Sequence, residues 1–365
     1  MPKILSLQIN QFRNLKEVVI SPTSGFNLFF GLNGSGKTSV LESIHFLGVG
    51  RSFRTHCNQR LIQHTANRFS VFATLKEKEQ HISLGIEQYR LGKRRLKING
   101  EEISDRSLLA KRLPLCPINA MSHRFFLDGP KIRRQFLDCL SFHMEPNFFP
   151  TWKRIRRLLR QRNAALKLQL PFDEITQWDQ MFSEDAECIH KLRKNIVAEF
   201  NAIFSQILQY FLPNVIILLC YYPGWIAKQS LLKQLQFSLR RDLQCGYTQI
   251  GPQRADFRLS IQKLPAQDVL SQGQQKLVTY ALYISKGLLF KKKNQAAPIY
   301  LIDDLTAELD IEKRYRVVDL LIQLKSQVFI TNTNFQEIEI PDSSIVFHVQ
   351  NGIVHPFSLS RKSNS

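Results

Sequence analysis

A chain of 365 residues, 44% hydrophobic and 22% charged, has the apolar content of a soluble globular protein with one large or two moderate domains. Six scattered cysteines without a Cys-x-x-Cys pair indicate neither a zinc knuckle nor a disulfide framework, the N-terminus lacks the apolar core of a signal peptide, and no apolar run approaches the length of a membrane span, so a cytoplasmic protein with no membrane partner is expected. The formal net charge of +20 favours a polyanionic partner, nucleic acid first, although a solvated basic surface gives the same balance.

Leu5, Leu7 and Ile9 alternate with polar neighbours, the period of a half-buried strand. Residues 18–20 and 26–30 add two more strands, and the last empties into Gly31, Leu32, Asn33, Gly34, Ser35, Gly36, Lys37 and Thr38, which has the spacing of a Walker A loop. Each position has a mechanical reason. The glycines let backbone N–H groups curl around a β-phosphate, Lys37 supplies a charge for the β and γ phosphates, and Thr38 offers a hydroxyl to Mg²⁺. Val40, Leu41, Ile44 and Leu47 follow at helical spacing, so a helix N-terminus points into the same pocket. Residues 70–75, 82–87 and 95–98 read as short strands, the last closed by an Asn99-Gly100 turn.

From about 131 the period is helical for a hundred residues. Phe182, Ala186, Ile189, Ile196, Phe200, Ile203, Ile207 and Phe211 trace one face of a long helix, a packing stripe rather than a cofactor site. Residues 151–170 carry Lys153, Arg154, Arg156, Arg157, Arg160, Arg162 and Lys167 with no acid. Of these, Lys153, Arg154, Arg157 and Arg160 are the candidate DNA contacts of the arm; the alternative is that they balance Glu184, Asp185 and Glu187 on a neighbouring helix.

After Gly251-Pro252 the α/β pattern resumes. Leu277, Ala281, Ile284 and Leu288 form a helix stripe that Lys291, Lys292 and Lys293 interrupt. Ile299–Ile302 is apolar without alternation, as a central parallel strand requires, and ends in Asp303 and Asp304. Asp303 suits Mg²⁺, and Asp304 suits the polarisation of an attacking water as the catalytic residue. Adjacent strand residues face opposite ways, so both acids reach one nucleotide only if the backbone turns at Asp303. A helix near 317–324, a strand near 328–330 and a hairpin around Asn351-Gly352 complete the reading, and the last five residues look frayed.

Ahead of the acidic strand, Ser271, Gly273 and Gln274 open a helix; alone they are a cap, but in this order they resemble the signature motif of ABC-type ATPases. In that architecture the serine binds the γ-phosphate held by the other subunit, and Asp310 resembles the D-loop at the same dimer interface. The set widens with residues 50–55 (Gly-Arg-Ser-Phe-Arg-Thr), 133–138 (Arg-Arg-Gln-Phe-Leu-Asp) and 251–256 (Gly-Pro-Gln-Arg-Ala-Asp), and together these segments resemble the bacterial RecF family of SMC-like ATPases from Leu5 to about Val354. The resemblance implies an ABC-type α/β head of mixed sheet with an antiparallel annex, formed by residues 1–135 and 255–365 and interrupted by a helical arm domain at 136–254. It also implies ATP and Mg²⁺ as cofactors, an ATP-dependent homodimer on single-stranded and duplex DNA, RecR and RecO as partners, and roles in gap repair, replication restart and the SOS response.

Arg13 matches the Phe-Arg motif that contacts nucleotide in SMC-like heads, or is a solvated strand-end arginine. Phe53 and Gln253 stand where the family usually has His, and Thr331-Asn332-Thr333 lacks the histidine with which many ABC ATPases sense the γ-phosphate, so a slow, switch-like ATPase is expected. The ATP-binding subunit of a membrane transporter would place its signature in a compact insert, whereas a long helical arm separates Lys37 from Ser271 here. A GTPase would carry an Asn-Lys-x-Asp segment, which is missing.

Overall fold

The computed structural model describes residues 2–357; the end expected to fray lies outside them. The described chain divides into two compact units, one from the segments up to His123 and from Lys276 onward, the other Arg124–Gln275.

In the first unit β1 (Lys3–Phe12), β2 (Leu15–Ile20) and β3 (Phe26–Phe30) precede the helix Lys37–Val49. It is followed by β4 (Arg68–Glu77), β5 (Gln80–Tyr89), β6 (Arg94–Ile98), β7 (Glu101–Ile103) and β8 (Leu115–Ile118). The second unit contributes β9 (Leu218–Tyr222), β10 (Asp256–Ile261) and β11 (Leu264–Pro265). The first then resumes with β12 (Ile299–Ile302), β13 (Val328–Asn332), β14 (Ile345–Gln350) and β15 (Ile353–Phe357). An antiparallel sheet runs β2-β1-β4-β5-β6-β7, and a mixed sheet runs β15-β14-β3-β13-β12-β8, parallel except for its β14/β15 hairpin. The helix Lys37–Val49 shares one core with both sheets, so residues Ser39 to Gly48 are buried and the helix lacks a polar stripe. Phe46 packs edge-on against Phe69 at 5.1 Å between ring centroids, while Val40, Leu41, Ile44 and Leu47 join the same cluster as Phe329 and Ile299.

Two strands that periodicity does not reveal have identifiable causes. β8 contains Pro117, tolerated because β8 is the edge of its sheet. β9 interrupts the helical period, a run of β-favouring Tyr and apolar residues paired antiparallel to β10, and this pairing carries β10 and β11 into the second unit. The remainder of that unit is helical, with Phe148–Lys167, Asp179–Phe211 and Leu231–Cys245 packed around Phe148, Ile155, Phe182, Ile189, Leu231 and Leu235. The run Lys291-Lys292-Lys293-Asn294 forms the last turn of its helix, which runs Gln272–Asn294 and ends with that run. Cations in a last turn complement the helix dipole, and Lys291 Nζ donates to the carbonyl of Leu324 at 3.0 Å, the end of the helix Ile311–Leu324.

Candidate nucleotide site

The loop after β3 leaves the middle of the parallel sheet, between β13 and β14. Gly31 has φ 148°, and a Cβ there would stand 2.2 Å from the carbonyl oxygen of Val349, so no other residue fits. Three neighbours hold the loop from outside. Asn14 Nδ2 donates to Gly34 O at 3.1 Å, Ser39 Oγ donates to Asn14 Oδ1 at 2.9 Å, and the N–H of Gly352 donates to Ser35 O at 2.8 Å. The hairpin tip at Gly352 sits so close that a Cβ would approach Asn14 O to 2.0 Å. Asn14 and Gly352 thus brace the loop, and sequence spacing could not reveal them because they lie far from it along the chain.

Inside the loop, Lys37 Nζ donates to the carbonyls of Gly31 at 2.7 Å and Leu32 at 2.9 Å. Burial pushes the Lys37 ammonium below its ordinary value, opposed by the charges of Asp304 and Asp303. Ser35 Oγ is buried with no hydrogen-bond partner among the described residues. A lysine ammonium, an orphaned hydroxyl and a helix N-terminus belong to one loop, and that donor set fits a polyphosphate.

β12 ends at Ile302, and Asp304 turns left-handed at φ 54°, ψ 61°. Thr38 Oγ1 donates to Asp303 Oδ1 at 2.8 Å, and Thr331 Oγ1 donates to the same oxygen at 2.6 Å. The N–H of Asp304 donates to Thr331 Oγ1 at 2.9 Å. The structure therefore brings Lys37, Thr38, Asp303 and Asp304 together, with Thr331 at the end of β13 as an added support. Thr38 and Asp303 form a hard oxygen pair of the kind that holds Mg²⁺ with water.

Arg13 is spent locally. Its backbone is left-handed at φ 53°, and its guanidinium forms a two-pronged pair with Glu42 of the helix Lys37–Val49, its Nη2 2.8 Å from Oε1. Glu42 is fully buried and also accepts from Ser52 Oγ, which in turn accepts from the N–H groups of Arg54 at 2.8 Å and Thr55 at 3.0 Å. For Arg13 to reach a nucleotide it would have to leave this carboxylate. Glu42 follows Lys37 by little more than one helical turn, and only its burial distinguishes it from a surface acid.

Phe53 packs edge-on against His45 at 5.3 Å between centroids. His45 is buried, its Nδ1 donates to Arg51 O at 2.9 Å, and burial holds its pKa down at about 4 from 6.5. A folded-state pKa below the unfolded one gives stability that is present above 6.5 and lost as pH falls toward 4, so acidification across this window is expected to cost up to about 3 kcal/mol. Denaturant titrations of the parent and His45→Gln at several pH values test this, and equal pH slopes would refute it.

Ser271 caps its own helix: the N–H of Ser271 donates to Gln274 Oε1 at 3.0 Å, and the N–H of Gln274 donates to Ser271 Oγ at 3.3 Å. Ser271 and Gly273 are exposed. Asp310 caps the helix Ile311–Leu324, accepting from the N–H of Lys313 at 3.0 Å, and the Lys313 hydrogen bond holds its carboxyl below the usual range. Both segments have local partners within one chain.

On the helix Phe148–Lys167, Arg154 makes a bidentate pair with Asp185 at 2.6 and 3.0 Å, which supports the balancing alternative for that residue. Lys153 Nζ lies 4.7 Å above the Phe149 ring. Arg157 and Arg160 are exposed, as is Arg156. Arg162 is buried against Asp179 and Asp242 and is no part of a surface. Among the described residues no helix is long and apolar enough to cross a membrane.

The family described as RecF/RecN/SMC N terminal domain matches residues 3–355. The DNA replication and repair protein RecF of Coxiella burnetii (strain Dugway 5J108-111) is 60% identical over 354 residues, covering 97% of this chain and 99% of the relative. That of Shewanella oneidensis is 40% identical over 356 residues, covering 96% and 98%. A solved structure of the recombination mediator protein RecF with ATP, from the RecFOR pathway, matches with a TM-score of 0.88 at 26% identity over 98% of each chain. An Smc head bound to the C-winged helix domain of ScpA shares the fold at 18% identity and a TM-score of 0.62, again over 98% of each chain. Full-length likeness to RecF in both sequence and fold, joined to a braced phosphate loop facing two carboxylates, means that the chain belongs to the RecF family within the RecF/RecN/SMC group.

Proposed function

We propose that this chain is an ATP-binding DNA replication and repair protein that closes as an ATP-dependent dimer on single-stranded or duplex DNA, at ends or junctions, in support of gap repair and SOS induction. The observation that carries the reading is the junction of Thr38 and Asp303 at 2.8 Å beside Lys37 and the orphaned Ser35 hydroxyl. Bound Mg²⁺ would supply charge to the β and γ phosphates, with Thr38 and Asp303 as its protein ligands. Lys37 holds the phosphates, and Asp304 orients and polarises a water. The RecFOR pathway named for the solved relative makes RecR and RecO the expected partners.

Ser271 and Gly273 are exposed at a capped helix N-terminus, and Asp310 is exposed as well. In the proposed dimer these surfaces meet the facing nucleotide. Ser271→Arg is accordingly expected to spare ATP binding by the single chain and abolish the ATP-driven doubling of mass seen by light scattering; a normal ATP dimer would remove Ser271 from the interface.

For DNA, the exposed arginines carry the larger share. Each lost phosphate contact lowers the slope of log K against log salt by about 0.9. Arg157→Glu and Arg160→Glu are expected to lower the slope in titrations with ATP, and Arg154→Ala to lower it less because Asp185 already neutralises Arg154. Unchanged slopes in all three would move the DNA surface off this helix.

A further inference from the structure

Within the second unit, one face of the sheet β11-β10-β9 is left open as a groove of about 600 Å³. Leu218 and Tyr222 alternate onto this face from β9, with Arg258 of β10 directly opposite Cys220 between them. Leu127 closes the other wall, and Lys263 stands at the β10/β11 turn. The apolar members are poorly covered: Leu127 is 70% exposed, Leu218 54% and Tyr222 47%. Among the described residues β9 pairs only with β10 and is the edge of its sheet.

The charges in the groove have one sign in excess. Asp256 is buried and shared by two guanidiniums, Arg133 at 2.8 and 3.1 Å and Arg258 at 2.6 Å. Asp128 is paired with Arg124 at 2.5 Å. The groove itself is lined by Arg133, Arg258 and Lys263 against the single carboxylate of Asp128, an excess of cations even though Arg133 and Arg258 share the buried Asp256. The Arg258 guanidinium also lies 4.8 Å over the Tyr222 ring, and both side chains line the groove. An apolar floor argues against a sugar-phosphate backbone, and the volume lies within the range of about 300–1,000 Å³ typical of binding pockets.

We propose that this groove docks a segment of a partner protein in which carboxylates alternate with apolar side chains, the apolar groups entering between Leu127, Leu218 and Tyr222 and the carboxylates meeting Arg258 and Lys263. The site lies wholly within residues 124–275, so its test does not rest on the nucleotide reading.

The full chain is panned against a random dodecamer peptide library displayed on phage, with a variant carrying Leu127→Ser and Lys263→Glu as the parallel target. Both positions are exposed, so circular dichroism and melting are expected to match the parent; Arg258→Ala is the second variant should they not. Enriched peptides are expected to combine Asp or Glu with Leu or Phe. A synthetic copy of the winner should bind the parent and lose about tenfold or more in affinity on the variant by fluorescence anisotropy. No enrichment, a basic consensus, or equal affinity on the variant overturns the proposal. So does a labelled DNA single strand whose binding falls about tenfold on the variant while no acidic peptide is enriched, which would make the groove a nucleic-acid contact.

Discussion

Lys37→Ala is expected to weaken ATP binding by about 10²–10³-fold while the head stays folded. A hydrogen bond to a charged group contributes about 1.5–3 kcal/mol, and in the proposed role the ammonium contacts two phosphates, so a loss of about 3–4 kcal/mol converts to that range. The fold should survive because, among the described residues, Lys37 Nζ bonds only the carbonyls of Gly31 and Leu32. The loop itself stands on other groups: Asn14, Ser39 and the Gly352 N–H remain to brace it. Asp303 keeps Thr38 and Thr331. Equilibrium binding of a fluorescent ATP analogue to parent and variant, beside a melting curve, decides the matter. Parent-like affinity in a folded variant would remove Lys37 from phosphate binding.

The phosphate loop was legible because its chemistry is local: glycines, a lysine and a hydroxyl on consecutive residues, with a strand before and a helix after. The two acids were legible for the same reason, although the turn expected at Asp303 comes one residue later, where Asp304 is left-handed. What surrounds them was not. Asn14, Glu42, Thr331 and Gly352 act through contacts between segments distant in sequence, and a lone polar residue carries no periodicity to betray it. The inserted sheet was hidden differently, since β9 and β10 are separated by more than thirty residues that include a complete helix, and neither strand alternates cleanly. The pairing of Arg162 is hidden for a related reason. A run of cations without acids looks like one surface, yet the residues that neutralise Arg162 lie 17 and 80 positions away.

Arg162 therefore gives the largest expected effect on stability. Its side chain is fully buried, with Nε 2.7 Å from Asp179 and Nη1 2.8 Å from both Asp242 and the Thr248 hydroxyl. Asp242 in turn accepts from the N–H of Gln249 at 2.9 Å, and Asn163 accepts from Thr248, so one guanidinium ties three helices to the segment at 248–249. Arg162→Ala leaves two carboxylates buried without their cation and is expected to cost the arm about 3–5 kcal/mol. The pH dependence identifies the cause. Burial already raises the Asp179 carboxyl above its ordinary value, with Arg162 opposing, so removing the arginine raises it further. A folded-state pKa above the unfolded one means stability that is present at low pH and lost as pH rises, so the variant should recover part of its deficit as the pH falls from 7 toward the carboxylate range. Hydrogen exchange along Asp179–Phe211 in the full chain reads the local stability directly. A deficit that is absent, or that grows on acidification, would show that the triad is not what holds the arm together.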